Sequence, residues 1–344
     1  MPSLPKFKCI AALAAAAALL ALPAAAQATL VYVKNPMQPS VFAADDNGGG
    51  AFRVGPGTNP RVSPDGDVIA YQRELSGGKR ELRLAAAAGG GSKAVLNNSQ
   101  DGFHLAFSPD SKLVAALRGP ELGKRKLVLI DVTSGTVQRA LASGYFGGFS
   151  FSPDGTELVY SKSASEDFAS NTDVYRVPIG SGKAVRLTKD HASLEPLWGP
   201  NDQIVFVKLL GAKQRKYGPK NELYLMNPQG GQVKRLTHTN VGALLQGLVP
   251  TEWSANGNRL LSEFTGQDTS YAVAVNPKTG AQTPLGKTGE QGFVGTAISK
   301  DGSMVLGFTG GFEPGPNHMV EAVPYDDGKV TRLVKNAYEP DWSR

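Results

Sequence analysis

Four histidines are the side chains best suited to hold a metal in this sequence. His191 and His238 each follow a short Arg-Leu-Thr segment, His318 closes a long loop near the C-terminus, and His104 precedes an apolar run. Imidazole nitrogens suit Mn²⁺, Fe²⁺ or Zn²⁺. Four separated histidines are also what surface or hydrogen-bonded structural groups look like, so both readings stand at this level. A second feature is the cationic stretch at residues 211–220, with Lys213, Arg215, Lys216 and the aromatic Tyr217. That composition suits contact with an acidic glycan, an anionic envelope polymer or an acidic protein, and equally a solvated loop.

Other familiar catalytic and binding chemistries lack their pattern in this sequence. There is no G-x-S-x-G nucleophile elbow and no G-x-x-x-x-G-K-[ST] phosphate loop. Asp45-Asp46-Asn47 lacks the spacing and distal Glu of a calcium loop. Asp65, Asp110, Asp154 and Asp301 could be offered as catalytic carboxylates, but each occupies the same place in a repeated turn, which points to architecture. Cys9 is the only cysteine. It lies ahead of an apolar run at residues 10–22, within a segment that reads as a secretory signal: Lys6 and Lys8, then the apolar run, then Ala26-Gln27-Ala28. Cleavage after residue 28 leaves Thr29 first, with no thiol for a disulfide, a nucleophile or a metal. The expected location is periplasmic or secreted. The apolar run falls short of the about 20 residues that span a bilayer, so membrane insertion is not expected.

The elements that must position these residues follow from an internal period. Seven related turns read Ser63-Pro64-Asp65-Gly66, Ser108-Pro109-Asp110-Ser111, Ser152-Pro153-Asp154-Gly155, Gly199-Pro200-Asn201-Asp202, Ser254-Ala255-Asn256-Gly257, Ser299-Lys300-Asp301-Gly302 and a terminal Ser343. Successive turns start 45, 44, 47, 55, 45 and 44 residues apart. A period of 40 to 50 residues is the signature of a propeller. Ahead of each turn stands an apolar residue (Val62, Phe107, Phe151, Trp198, Trp253, Ile298, Trp342), a core position. After it come short apolar runs such as Ile204-Val205-Phe206-Val207 and Leu223-Tyr224-Leu225-Met226, each of strand length.

Each period is therefore expected to be a four-stranded antiparallel sheet with both faces covered, as in a propeller blade. Residues 30–54 hold a second, third and fourth strand but no first. Glu339-Pro340-Asp341-Trp342-Ser343 matches the inner strand Glu195-Pro196-Leu197-Trp198-Gly199 and supplies it. The expected fold is all-β: a single seven-bladed propeller over residues 29–344, its ring closed by the C-terminal strand. The blades run at 29–56 with 337–344, 57–98, 99–143, 144–190, 191–239, 240–287 and 288–336. With 344 residues, 41% hydrophobic and 19% charged, the chain can build such a core, and its net charge of +6 is too small to indicate nucleic acid.

The repeated turns behind an apolar anchor, such as Phe151-Ser152-Pro153-Asp154-Gly155, and the Arg186-Leu187-Thr188 and Arg235-Leu236-Thr237 segments resemble, over nearly the whole mature chain, the TolB-type, WD-repeat-like propeller family, whose repeat reads approximately P-x-W-S-P-D-G, then I-A-F, then R-L-T. The resemblance implies a non-catalytic binding or scaffolding module of the cell envelope. Its partner would be an envelope protein or an acidic glycan, and the propeller itself a monomer that needs no cofactor. Binding would use the rim with the long loops, through Lys213, Arg215, Lys216, Tyr217, His191 and His238. Seven-bladed propellers with this repeat are also similar to oligogalacturonate lyases. That resemblance implies the alternative, a metal-dependent polysaccharide lyase or hydrolase holding a divalent transition metal on His191, His238 and His318.

Overall fold

The repeated turn is built by its own side chains. In a computed structural model of the chain, the Ser63 hydroxyl donates to Asp65 Oδ1 at 2.5 Å and accepts the Val68 amide at 2.9 Å. Asp65 Oδ1 also accepts the Asp67 amide, and Gly66 closes the turn at φ +87°. A Cβ on Gly66 would lie 2.9 Å from the Ser343 hydroxyl, so turn geometry and neighbour both call for glycine. Ser108 with Asp110, Ser152 with Asp154, Ser254 with Asn256 and Ser299 with Asp301 repeat the bond at 2.7, 2.6, 2.9 and 2.6 Å. Hydrogen bonds from Ser108 and Ser152 hold Asp110 and Asp154 below the usual carboxylate range. These aspartates are turn-formers, as expected.

The structure describes residues 29–99, 105–120, 123–166, 171–211, 218–242, 244–310, 317–326 and 328–343. They form 27 strands, and the one helical segment is the single turn Ser76–Gly78. No described helix is long and apolar enough to cross a membrane.

The strands fall into seven antiparallel quartets, ordered as five hydrogen-bonded sheets where seven were expected. Three quartets stand alone. The first is Tyr338–Trp342, Thr29–Lys34, Ser40–Asp45 and Phe52–Pro56; the second is Thr58–Val62, Val68–Glu74, Arg80–Ala86 and Ser92–Asn97; the seventh is Val294–Ile298, Met304–Thr309, Met319–Pro324 and Thr331–Lys335. The third and fourth share one strand, Val137–Phe151, whose first half pairs with Arg125–Asp131 and whose second half pairs with Glu157–Ser163. That connection carries no Pro or Asn-Gly turn, so the chain stays extended from one quartet into the next. The fifth (Ser193–Trp198, Ile204–Leu210, Lys220–Met226, Lys234–Arg235) and sixth (Leu245–Trp253, Leu260–Gly266, Thr269–Val275, Gln282–Pro284) are joined by a parallel bridge between Asn221 and Gly247. The last strand pairs with the first as expected, Leu30 opposite Trp342 and Val31 opposite Asp341.

The core lies between quartets. In the strand Ile204–Leu210, Ile204 and Phe206 join a cluster with Val159 and Val174 of the fourth quartet, while Val205 and Val207 join one with Leu248 and Leu260 of the sixth. Period-two alternation thus places consecutive apolar residues on opposite faces, both buried. The same arrangement recurs at each successive junction, and one cluster unites the seventh, first and second quartets through Leu306, Phe308, Leu30, Tyr71 and Trp342. Each fully buried side chain of this size contributes about 1.5–3 kcal/mol.

In every quartet, strand alternation sends the connection between second and third strands, and the link to the next quartet, to one end. The Ser-Pro-Asp-Gly turns and the third-to-fourth-strand turns lie at the other. The first is the long-loop end and the second the turn end.

Candidate functional site: the long-loop end and the carboxylates between quartets

His191 lies in the loop between the fourth and fifth quartets, at φ +58°, with its side chain 56% exposed. Its Nδ1 stands 3.1 Å from Oδ2 of Asp173, a buried carboxylate on the third strand of the fourth quartet. Asp173 also accepts the Thr188 hydroxyl and the His191 amide, each at 3.1 Å, and the Arg186 guanidinium pairs with it. Arg186 Nε in turn donates to the Thr188 carbonyl at 2.9 Å. The next quartet repeats this clamp. Glu222, fully buried, accepts Thr237 Oγ1 at 2.7 Å, the Thr239 amide and Arg235 Nη2 at 2.8 Å, and Lys220 Nζ at 3.0 Å. Burial pushes the Glu222 carboxyl up, but the bonds from Thr237, Lys220, Thr239 and Arg235 outweigh it and hold it below its ordinary value. The Arg-Leu-Thr segment is therefore a clamp on a buried acid. His191 adds a second basic group to its clamp as Lys220 does in the next, but from the link after the fourth strand, where its amide corresponds to that of Thr239.

An imidazole oriented by a buried carboxylate has the geometry of a general base. Here the carboxylate is already committed to an arginine, a hydroxyl and an amide, which makes His191 one more donor of the clamp. His238 is exposed in the corresponding loop of the fifth quartet. His318 is 2% exposed, its ring 5.9 Å from Phe308 and 5.7 Å from Tyr338. Among the described residues no three His, Cys, Asp or Glu side chains stand together to hold a metal, so His191, His238 and His318 are not gathered. Lys213, Arg215, Lys216, Tyr217 and His104 lie outside the described residues.

What the histidines do not provide, grooves at the long-loop end do. Between the first and second quartets, one is lined by Arg53, Arg73 and Arg80 with the single carboxylate Glu74. Between the third and fourth, Lys124, Lys162, Arg186 and His191 surround Asp173. Another groove runs along the outer strand of the seventh quartet, from Lys287 and His318 at the long-loop end to Lys329 in the third-to-fourth-strand turn, with Lys287, Lys329 and Arg332 against Glu321. A groove at the turn end of the fourth and fifth quartets reverses the sign, with Asp154, Glu157 and Asp202 against Arg176. These cations were missed in the sequence because they are scattered singly. The signal that could have found them is position, since Arg73 and Arg80 flank a second-to-third-strand hairpin.

A set of buried acceptors ties the inner strands together. Asp341 Oδ2 accepts the Val62 amide at 2.8 Å, Glu252 Oε2 the Ile298 amide at 2.7 Å, and Ser150 Oγ the Trp198 amide at 2.8 Å. In each case the residue just before one apolar anchor binds the amide of the next quartet's anchor. Glu339 Oε2 also accepts the Asn59 amide at 2.7 Å. Burial, with the negative charge of Asp341, pushes Glu252 up to about 8; burial pushes Asp341 up to about 6 against the opposing charge of Arg61. Enclosure by protein raises Glu339 as well.

No protein-family model matches the chain, and no curated protein matches it. Solved structures do. TolB from Acinetobacter baumannii is 19% identical, with 91% of this chain and 82% of that chain covered at a TM-score of 0.57. The β-propeller domain of the Trilobed protease from Pyrococcus furiosus is 15% identical, with 90% and 95% covered at 0.64. Oligogalacturonate lyase from Vibrio parahaemolyticus is 13% identical, with 89% and 84% covered at 0.58. At these identities the likeness is one of architecture, and the fold of this chain is that of a TolB-like β-propeller.

Proposed function

We propose that this protein is an exported, non-catalytic binding module of the cell envelope that recognises an acidic partner, protein or glycan, at its long-loop end. In this reading residues 1–28 are removed as a signal, the protein works in the periplasm or outside the cell, and the seven quartets are the blades of a ring closed by the last strand. The observation that carries it is the difference in sign between the two ends. Two grooves at the long-loop end each present three cations against one carboxylate, while a groove at the turn end of the fourth and fifth quartets presents three carboxylates against one arginine. A rigid ring that concentrates positive potential on one face steers anions to it, and salt weakens that attraction.

The test is binding of polyglutamate and polygalacturonate, measured by biolayer interferometry at low and physiological salt. Binding to at least one anion, weakened by salt and by combined Arg73→Gln, Arg80→Gln, Lys124→Gln and Lys162→Gln substitution, is the expected result. Failure of the wild type to bind either anion would remove the reading. The lyase-like alternative draws on the oligogalacturonate lyase neighbour but asks one cation to bridge His191, His238 and His318. The enclosure of His318 between two rings and the engagement of His191 by Asp173 weigh against that. A stoichiometric transition metal in elemental analysis, lost on His238→Ala, would favour it instead.

A further inference from the structure

We propose that the groove between the first and second quartets is a docking site for an extended acidic peptide segment that carries an apolar residue beside its carboxylates. This rests on the reading of the long-loop end as an anion-recognising surface, and it names one site and one class of ligand within it.

The groove has a volume of about 830 Å³ and is formed where the hairpin at residues 34–40, the link at 56–58 and the hairpin at 74–80 meet. Its floor requires close chain approach: a Cβ on Gly57 would run into the Gln72 carbonyl and the Tyr71 ring. Its cationic groups are all guanidiniums, whereas the groove between the third and fourth quartets and the one along the seventh mix in lysines. A guanidinium presents a planar fork that matches a carboxylate bidentately, which a lysine ammonium does not.

The three arginines hold charge in surplus. Arg53 Nε and Nη2 both donate to the hydroxyl of buried Ser40, at 3.2 and 3.1 Å, which fixes the group without neutralising it. Arg73 lies 3.8 Å from Glu81 Oε1, but Arg83 already holds that oxygen at 2.5 Å. Among the described residues Arg80 has no carboxylate within 4.0 Å. Glu74 is the one acid in the lining.

The neutral lining selects among anions. Asn35, Gln38 and Asn59 bring amides able to pair with a peptide backbone, while Gln72 is buried with its amide on Ser99, and no aromatic ring is among the described lining residues for a sugar to stack on. Beside it, Met37 is 93% exposed at the corner of a turn that the Gln38 amide closes on the Asn35 carbonyl at 2.9 Å. A flexible, polarizable thioether held out at the rim is suited to an apolar side chain of the incoming segment.

Fluorescence anisotropy with a labelled Glu/Asp peptide bearing one central Leu tests this, with a Leu→Ser peptide and unlabelled polygalacturonate as competitors. Arg73→Gln combined with Arg80→Gln is expected to weaken the peptide by at least about tenfold. Met37→Ser should weaken the Leu peptide and leave the Ser peptide unchanged. Lys287→Gln with Lys329→Gln, in the seventh-quartet groove, should leave both within about twofold, since that groove is separate. Unaltered thermal melts of the arginine variant establish that it folds. The proposal is overturned if polygalacturonate binds and the peptide does not, or if the two double variants weaken the peptide equally; in both outcomes the anion-binding reading survives. Loss of that reading as well requires that no anion binds at all.

Discussion

The Asp341 carboxylate accepts the Val62 amide at 2.8 Å, joining the last strand of the chain to the inner strand of the second quartet across 279 residues of sequence. Asp341 also stands opposite Val31 of the strand Thr29–Lys34 in the first quartet, so one residue links two quartets. Asp341→Ala leaves a buried amide without its acceptor, and the expected loss is about 1–3 kcal/mol in urea unfolding. Asp341→Asn keeps an acceptor oxygen and should recover part of it. Equal unfolding midpoints for Ala and wild type would exclude the tie.

Stability should fall as pH rises from about 5 to 8. Glu252 and Asp341 bind protons more tightly in the folded protein than unfolded, because burial raises both. Where the native state holds more protons, raising pH favours unfolding. Each tenfold difference in proton affinity is worth about 1.4 kcal/mol. Glu252→Gln, which retains an oxygen for the Ile298 amide, should flatten the dependence of Tm on pH and raise Tm at pH 8. A Tm that rises steadily across this window in the wild type would contradict the burial of these acids. The lowered turn aspartates act in a separate window, adding stability above their unfolded pKa that is lost on acidification.

Trp342 packs with Leu30, Val31 and Tyr71 where the two ends of the chain meet. Trp342→Ala should cost about 3–5 kcal/mol, as for other buried aromatic residues. An unchanged melting temperature by differential scanning calorimetry would refute the closure of the first quartet by the C-terminal strand.

The two acid clamps give a paired prediction. Glu222 is fully buried, and Glu222→Ala should cost about 1–3 kcal/mol by leaving Arg235, Lys220 and two backbone or hydroxyl donors short of an acceptor. His191→Ala should cost no more than about 1 kcal/mol, since the imidazole is mostly exposed and Arg186 remains on Asp173. A large loss on His191→Ala would mean that His191 does more than add a donor to the clamp.

The sequence by itself determined the repeat, the turn chemistry, the strand quartets and the pairing of the last strand with the first. These are local facts: a Ser-Pro-Asp-Gly turn bonds its own backbone, and a run such as Ile204-Val205-Phe206-Val207 can bury both faces only between neighbours. Tertiary structure alone decided three things. The third and fourth quartets merged through Val137–Phe151, because nothing in that stretch forces a turn. The histidines separated, His318 into the core and His191 onto Asp173, because side-chain burial depends on which strands flank a loop. The cationic grooves assembled from Arg53, Arg73 and Arg80, up to 27 positions apart, and from Lys124, Lys162 and Arg186, up to 62 apart, residues that become neighbours only when adjacent quartets stack face to face. A period along the chain specifies the wedge; which charges meet at its edges is a property of two wedges together.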